Sequence, residues 1–206
     1  MKVFSALSGI TFKRYVNDIK KELFRKTIHL CSAFVPFFLS RAFVPTVVFL
    51  SCTAVLYAVS EVLRMKGKSV PLISEVTEAA ARKRDENRFV LGPLTLVCGI
   101  VTAALLWKPA AAAIGIFALA FGDGLASLAG KLFGSVRIPG TSGKTVAGSL
   151  TCFTAIFCAT YVYSHTSYVA LVIAAAGMFT EVLPLRDFDN VLIPVLLGGI
   201  AQVLLP

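Results

Sequence analysis

The stretch FGDGLASLAGKLFG, residues 121–134, closes a long apolar run and places a carboxylate, Asp123, among glycines and apolar side chains. A helix needs about 20 apolar residues to cross a hydrocarbon layer about 30 Å thick, and the run 109–129 is long enough. A carboxylate inside such a segment is costly and usually faces a polar cavity or partner. The stretch therefore predicts a membrane helix with a polar site near one end, although an ion pair at the membrane surface is an alternative.

The rest of the chain repeats the pattern of apolar runs. Hydrophobic residues make up 57% of the sequence, compared with roughly 45–50% in ordinary soluble domains. We predict one all-α integral-membrane domain, 1–206, with about seven membrane helices: 28–40, 43–63, 90–107, 109–129, 147–164, 167–184 and 189–205. The first run is short and contains Pro36, so an interfacial or re-entrant segment is an alternative there.

The distribution of Lys and Arg predicts the orientation in the membrane. Segment 1–27 reads as a basic amphipathic helix, and we expect no cleavable signal peptide because it lacks an apolar core. If the N-terminus is cytoplasmic, 18 of the 20 Lys and Arg fall on the cytoplasmic side, including those of the 64–89 loop. This bias accounts for the net charge of +9 without nucleic acid. We expect a multi-pass protein of the cell membrane with its site on the cytoplasmic face.

Two stripes run along the helix that carries Asp123. Small residues recur every four positions at Gly122, Ala126, Gly130 and Gly134, so another helix or a ligand could approach the backbone there. Asp123, Ser127 and Lys131 recur at the same interval and form a polar row beside the small residues.

The next loop, RIPGTSGKTVAGS (137–149), combines features suited to phosphate. It is not a P-loop, because that motif would need glycine at the position of Ile138. Backbone N–H groups at the start of a helix favour anions. The side chains and backbone that we expect to bind phosphate are those of Ser142, Gly143, Lys144 and Thr145. A plain helix cap with one surface lysine is the alternative.

Further polar clusters are expected at the same membrane boundary. Glu181, Asp189 and Asn190 lie in EVLPLRDFDN (181–190), where carboxylates could hold Mg²⁺, whereas we expect Asp187 to be solvated. Glu61 and Arg64 are one helical turn apart. Arg25, Lys26 and His29 lie within about one turn and could bind phosphate or anionic lipid, although cations that snorkel to the interface are an alternative.

Taken in order, these residues resemble a known family. The set RKxxH (25–29), ExxR (61–64), GDGLASLAGKLFG (122–134), GKTVAGS (143–149), Glu181 and DNxxxP (189–194) is similar to the family of dolichol, phytol and CTP-dependent diacylglycerol kinases. The resemblance implies transfer of the γ-phosphate of a nucleoside triphosphate, typically CTP, to the hydroxyl of a membrane lipid alcohol. Lipid cytidylyltransferases share the GD motif and are the alternative, but the DNxxxP ending favours a kinase, and the longer acidic motif of cytidylyltransferases is missing. A small transporter is a further alternative, which the apolar span interiors disfavour.

Residues and resemblance together yield a set of expected roles. We expect Asp123 and Asp189 to hold Mg²⁺ on the triphosphate, with Ser142, Lys144 and Thr145 on phosphates, assisted by Lys131. Glu181, or alternatively Asp123, would orient or deprotonate the alcohol. The remaining expected contacts are Gly122, Ser127, Gly130, Gly143, Arg25, Lys26 and His29 for the nucleotide, which could be CTP or ATP, and Glu61, Arg64 and Asn190 as bracing residues. The sequence leaves the lipid alcohol and the oligomeric state open.

Overall fold

The computed structural model describes residues 2–68, 70–71, 73, 77, 88–141 and 143–205, with side chains from residue 16 onward except residue 18. Its helices are α1 (Lys2–Cys31), α2 (Val35–Arg41), α3 (Phe43–Met65), α4 (Gly92–Leu106), α5 (Pro109–Phe117), α6 (Gly124–Phe133), α7 (Val146–Ser164), α8 (Ser167–Val182) and α9 (Asp189–Leu204). A π-helical segment, Ala118–Asp123, joins α5 to α6. Short 3-10 turns, Ser32–Phe34 and Arg186–Phe188, precede α2 and α9.

The prediction of an all-α membrane bundle is confirmed. Among the described residues, four helical stretches are long and apolar enough to cross a membrane: Phe43–Met65, Pro109–Phe133, Val146–Ser164 and Arg186–Leu204. Two shorter apolar helices, Gly92–Leu106 and Ser167–Val182, match two more predicted spans. Within the described part of the chain no strand forms, and the single isolated β-bridge pairs Arg137 with Thr145.

The first predicted span, 28–40, is not a single helix. The chain leaves α1 at Cys31, passes through the 3-10 turn and restarts as α2, where Pro36 occupies the first turn. Proline lacks a backbone N–H and clashes with the preceding turn, so it fits best at the start of a helix, whereas in an interior, as at Pro194 of α9, it removes one intrahelical hydrogen bond. Pro36 therefore divides the run instead of lying within one span.

Small residues bring α4, α5 and α9 into close backbone contact at the centre of the bundle. A Cβ added at Gly99 would lie 2.1 Å from the carbonyl oxygen of Asn190, and one at Gly115 would lie 2.2 Å from that of Pro194. The π-bearing stretch Pro109–Phe133 is the most enclosed of the four candidate spans, at 72% buried, whereas α3 is 11% buried. The carboxylate of Asp123 thus belongs to the central helix.

Helix α1 packs with its polar side inward. Glu22, Lys26 and His29 are buried, whereas Leu23 and Phe24 are 52% and 40% exposed. Because residues three, four and seven apart share a helix face, these three buried side chains form one charged stripe. The described part of α1 therefore covers the polar end of the bundle. The 64–89 loop lies largely outside the described residues.

The polar residues gather at one end of the bundle. The ends of α3, α6 and α8 meet the starts of α4, α7 and α9 there. Toward the opposite end, two hydrogen bonds join the end of α4 and the residues after it to α9. Trp107 Nε1 donates to the Val195 carbonyl at 2.9 Å, and the Lys108 backbone N–H donates to Gln202 Oε1 at 2.9 Å.

Candidate active site

Asp123 is buried against the charged stripe of α1. Its side chain is paired with the ammonium of Lys26, and His29 Nδ1 lies 3.2 Å from the same oxygen, Oδ2. Among the described residues, His29 Nδ1 is nonetheless a buried atom that makes no hydrogen bond. Asp123 ends the π-helical segment, and such segments within helices occur frequently at functional sites. The carboxylate is thus held by a helix almost 100 residues away in sequence.

Glu22 is the second carboxylate of this cluster and joins α1 to α6. Its Oε1 accepts hydrogen bonds from Ser127 Oγ at 2.9 Å and from Arg25, and its Oε2 accepts one from Lys131 Nζ at 2.9 Å. Burial alone would raise the pKa of Glu22, but the charges of Arg25 and Lys26 and the hydrogen bond from Lys131 hold that pKa well below its ordinary value. Asp123, Ser127 and Lys131 therefore face α1 as one row.

The small-residue stripe beside this row is filled by α7. A Cβ added at Gly122 would lie 2.7 Å from Ile156 Cδ1, and one added at Gly130 would lie 2.9 Å from Thr145 Oγ1. Glycine on α7 allows the same close approach to α6, because a Cβ added at Gly148 would lie 2.9 Å from the Ala126 carbonyl oxygen. The stripe serves helix packing, so the nucleotide contacts expected at Gly122 and Gly130 find no open groove here.

A second cluster forms around Glu181 at the end of α8. Lys144 Nζ donates to Glu181 Oε1 at 2.5 Å, and Ser149 Oγ donates to Glu181 Oε2 at 3.2 Å. Thr145 caps α7 by accepting a hydrogen bond from the Gly148 backbone N–H at 3.2 Å. Glu181 is 4% exposed, whereas the side chain of Lys144 is 26% exposed, so the lysine links the buried carboxylate to the surface.

The loop that carries Lys144 folds back on itself. The Ile138 backbone N–H donates to the Lys144 carbonyl at 2.9 Å, and the Val146 N–H donates to the Val136 carbonyl at 3.0 Å. Gly143 has a φ of 86°, a conformation that favours glycine. The turn thus fixes the backbone on both sides of Lys144. Ser142, which we expect to bind phosphate, lies outside the described residues.

The two clusters flank the first half of α7. Ser149 belongs to the Glu181 cluster, and Cys152 lies one helical turn further along the same helix. The Cys152 Sγ would lie 3.4 Å from a Cβ added at Gly122, the residue before Asp123. The carboxylates of Asp123 and Glu181 are therefore separated by about one layer of α7 side chains at the same end of the bundle.

Glu61 and Arg64 form a local brace. Glu61 is 1% exposed and accepts hydrogen bonds from Arg64 Nε at 2.8 Å, Arg64 NH2 at 2.7 Å and the Val90 backbone N–H at 2.7 Å. Arg64 also donates to the Arg88 carbonyl at 2.9 Å. These contacts join the end of α3 to the segment before α4.

A cleft lies between α1 and the first turns of α4 and α9. Arg25, His29, Asp187 and Asn190 contribute its polar lining. The Asn190 amide nitrogen donates to Thr95 Oγ1 at 3.0 Å and to the Gly92 carbonyl at 3.3 Å, which holds the start of α9 against α4. Because His29 lines the cleft and also approaches Asp123, the cleft adjoins the Asp123 cluster.

The two carboxylates that the sequence predicts for Mg²⁺ lie on different elements, Asp123 at the end of the π-helical segment and Asp189 at the start of α9. In the described part of the chain, no group of three or more His, Cys, Asp or Glu side chains converges as a metal site. Mg²⁺ commonly takes one or two carboxylates and completes its shell with water and substrate phosphates. Asp123, whose carboxylate is paired with Lys26, and Asp189, which is half-buried at the start of α9, remain the two carboxylates predicted to hold it.

Comparison with known proteins gives one consistent group of relatives. Over 144 residues the chain is 31% identical to the farnesol kinase of Arabidopsis thaliana, with 62% of this chain and 47% of that protein covered. It is 26% identical to a probable phytol kinase of Glycine max (90% and 68% covered) and 27% identical to phytol kinase 1 of Arabidopsis thaliana (86% and 65% covered). All three relatives are named as chloroplastic.

The chain resembles the prenyl-alcohol kinases. This finding confirms the resemblance drawn from the ordered motifs. The chain spans about half the length of the farnesol kinase that it matches and about two thirds of the two phytol kinases. Neither a family model nor a solved structure gives a significant match.

Two residues of the candidate site, Glu22 and Ser149, were not predicted from the sequence. Glu22 accepts hydrogen bonds from three of the residues expected to bind nucleotide, and Ser149 donates to Glu181. A signal for Glu22 was available, because an acid three and four residues before Arg25 and Lys26 shares their helix face. Asp187, expected to be solvated, is half-buried and lines the cleft.

Proposed function

We propose that this chain is a membrane lipid-alcohol kinase that transfers the γ-phosphate of CTP, or of another nucleoside triphosphate, to the hydroxyl of a prenol-like lipid. The observation that carries the proposal is the pair of lysine-bound carboxylates, Asp123 and Glu181, on either side of α7 at one end of an apolar bundle. The named activities of the farnesol and phytol kinases support the same reaction.

The arrangement suits phosphoryl transfer because that reaction requires charge neutralisation and positioning more than covalent chemistry by the protein. Lys144 lies on a fixed turn and is partly exposed, so it can leave Glu181 to bind a triphosphate oxygen. Lys131 and Arg25 supply further positive charge beside the cleft. The apolar sides of the bundle leave the lipid alcohol in the bilayer while its hydroxyl reaches the polar end.

Three carboxylates have two distinct proposed roles. Glu181, once Lys144 turns to phosphate, accepts a hydrogen bond from the alcohol hydroxyl and orients it or removes its proton. Asp123 and Asp189 would hold Mg²⁺, which would neutralise charge on the triphosphate during transfer. We place this chemistry on the cytoplasmic side of the membrane, in line with the positive charge at this end.

The test is a product assay with the full chain in lipid nanodiscs. The protein receives labelled CTP or ATP, Mg²⁺ and one lipid alcohol at a time: farnesol, phytol, a long polyprenol or diacylglycerol. We expect a lipid monophosphate and a nucleoside diphosphate. A CDP-lipid with release of pyrophosphate would instead identify a cytidylyltransferase, and absence of any lipid product with all four alcohols would contradict the proposal.

A further inference from the structure

The carboxylate of Glu22 lies where an anionic ligand would be expected. Its two oxygens accept hydrogen bonds from Arg25, Ser127 and Lys131. A guanidinium, a hydroxyl and an ammonium are the groups that proteins use to bind phosphate oxygens. The donors come from two helices, α1 and α6, so they converge on one point instead of forming a local turn.

This anion position can be reached from outside the bundle. The side chain of Lys131 is 42% exposed, whereas that of Glu22 is 5% exposed. In the described part of the structure, Arg25 Nε is a buried donor without a hydrogen-bond partner, so the guanidinium retains unused capacity for an anion. An incoming phosphate would meet Lys131 first and then the remaining donors around Glu22.

We propose that Glu22 is an internal anion that occupies a phosphate subsite formed by Arg25, Ser127 and Lys131, and that a nucleotide phosphate displaces it. This inference rests on the proposed function for the identity of the ligand. Two anions cannot share these donors at close range without repulsion, so the phosphate binds only when Glu22 withdraws. The Glu22 carboxylate thus lowers the affinity for phosphate and keeps the donors paired when the subsite holds no ligand.

The geometry supports displacement over a permanent anchor. Glu22 lies on α1, whose outward residues Leu23 and Phe24 are exposed, and a change of the Glu22 rotamer alone leaves the pair of Lys26 with Asp123 in place. After displacement, Glu22 would remain one turn from Lys26, which preserves a charge partner for it.

The experiment measures binding of inorganic tripolyphosphate to the purified full chain, without nucleotide or lipid. We expect Glu22→Gln to bind tripolyphosphate about tenfold more tightly than the unmodified chain, because the neutral amide no longer competes as an anion. Lys131→Met should bind about tenfold more weakly. Lys108→Met, at the opposite end of the bundle, is the matched control and should leave the affinity unchanged.

Glu22→Asp provides a second test of the inference if Glu22→Gln does not fold. The shorter acid retains its charge beside Arg25 and Lys26 but withdraws from Lys131, so affinity should rise by about threefold. Equal or weaker binding in a folded Glu22→Gln variant, or in Glu22→Asp when the former does not fold, would overturn the inference. In the lipid assay, Glu22→Gln should lower the KM for nucleotide without raising kcat. Absence of lipid phosphorylation by the unmodified chain would contradict the kinase proposal alone, because tripolyphosphate binding is measured separately.

Discussion

Asp123 and Glu61 are both buried carboxylates in apolar helices, yet their partners differ in kind. Glu61 accepts two hydrogen bonds from Arg64, one helical turn away, and a third from the Val90 backbone N–H before α4, so a structural brace satisfies it. Asp123 is bound by Lys26 on another helix, and the neighbouring His29 Nδ1 makes no hydrogen bond within the described structure. A carboxylate with all its hydrogen bonds made stabilises the fold, whereas an ion pair across helices beside an imidazole nitrogen that makes no hydrogen bond can exchange partners during a reaction.

The largest expected effect tests the Asp123 half of this comparison. Asp123→Asn keeps the size of the side chain but removes its charge, so it should lower kcat for lipid phosphorylation by about a thousandfold, the upper range for loss of one electrostatic group. The measurement is the steady-state turnover rate with the one lipid alcohol that the product assay shows to be preferred. Thermal unfolding in the same detergent is the control. A kcat within threefold of the unmodified value would contradict the assigned role.

Lys144 should have the next largest effect. Lys144→Met removes the cation that pairs with Glu181 and that we expect on phosphate, so kcat/KM for nucleotide should fall by about a hundredfold. Lys108→Met, which removes an exposed lysine at the far end, provides the matched comparison. If both variants lost the same activity, the proposed role of Lys144 would have to be abandoned.

Glu61→Gln tests the other half of the comparison. Removal of the carboxylate leaves the Arg64 guanidinium and the Val90 N–H without their ionic acceptor, and the partial exposure of Arg64 reduces the penalty. We expect a loss of about 2 kcal/mol in the free energy of unfolding, measured by denaturant titration in mixed micelles. Turnover per folded molecule should change less than threefold. A catalytic loss as large as that of Asp123→Asn, with unchanged stability, would reverse the distinction.

The sequence predicted much of this arrangement because apolar periodicity is local. Runs such as 147–164 and 167–184 match α7 and α8 within a few residues, since span length is determined by the thickness of the bilayer. The run 28–40, whose Pro36 already set it apart in the sequence, is the exception, because it is divided between the end of α1, a 3-10 turn and α2.

The site was predictable in its residues but not in its pairings. Asp123, Lys144 and Glu181 stand out because charges near apolar runs are rare, but nothing in one sequence tells that Lys26 binds Asp123 or that Lys144 binds Glu181. Such pairings depend on how helices distant in sequence pack. The same holds for Glu22, whose shared helix face with Arg25 and Lys26 is visible in the sequence, whereas its partners on α6 are not.

Gly130→Ala has the smallest expected effect of these variants. It tests whether the small-residue stripe serves helix packing or the approach of a ligand. The added methyl would lie 2.9 Å from Thr145 Oγ1, which caps α7, so α6 and α7 must separate slightly. Overpacking of this kind costs about 1–3 kcal/mol, and we expect a value near the lower limit because the contact is a single hydroxyl. Gly92→Ala, where no atom lies within 4 Å of the added Cβ, is the matched control and should leave the unfolding midpoint unchanged. If Gly130→Ala instead weakened tripolyphosphate binding with no loss of stability, the stripe would approach the ligand and α7 would not be its main partner.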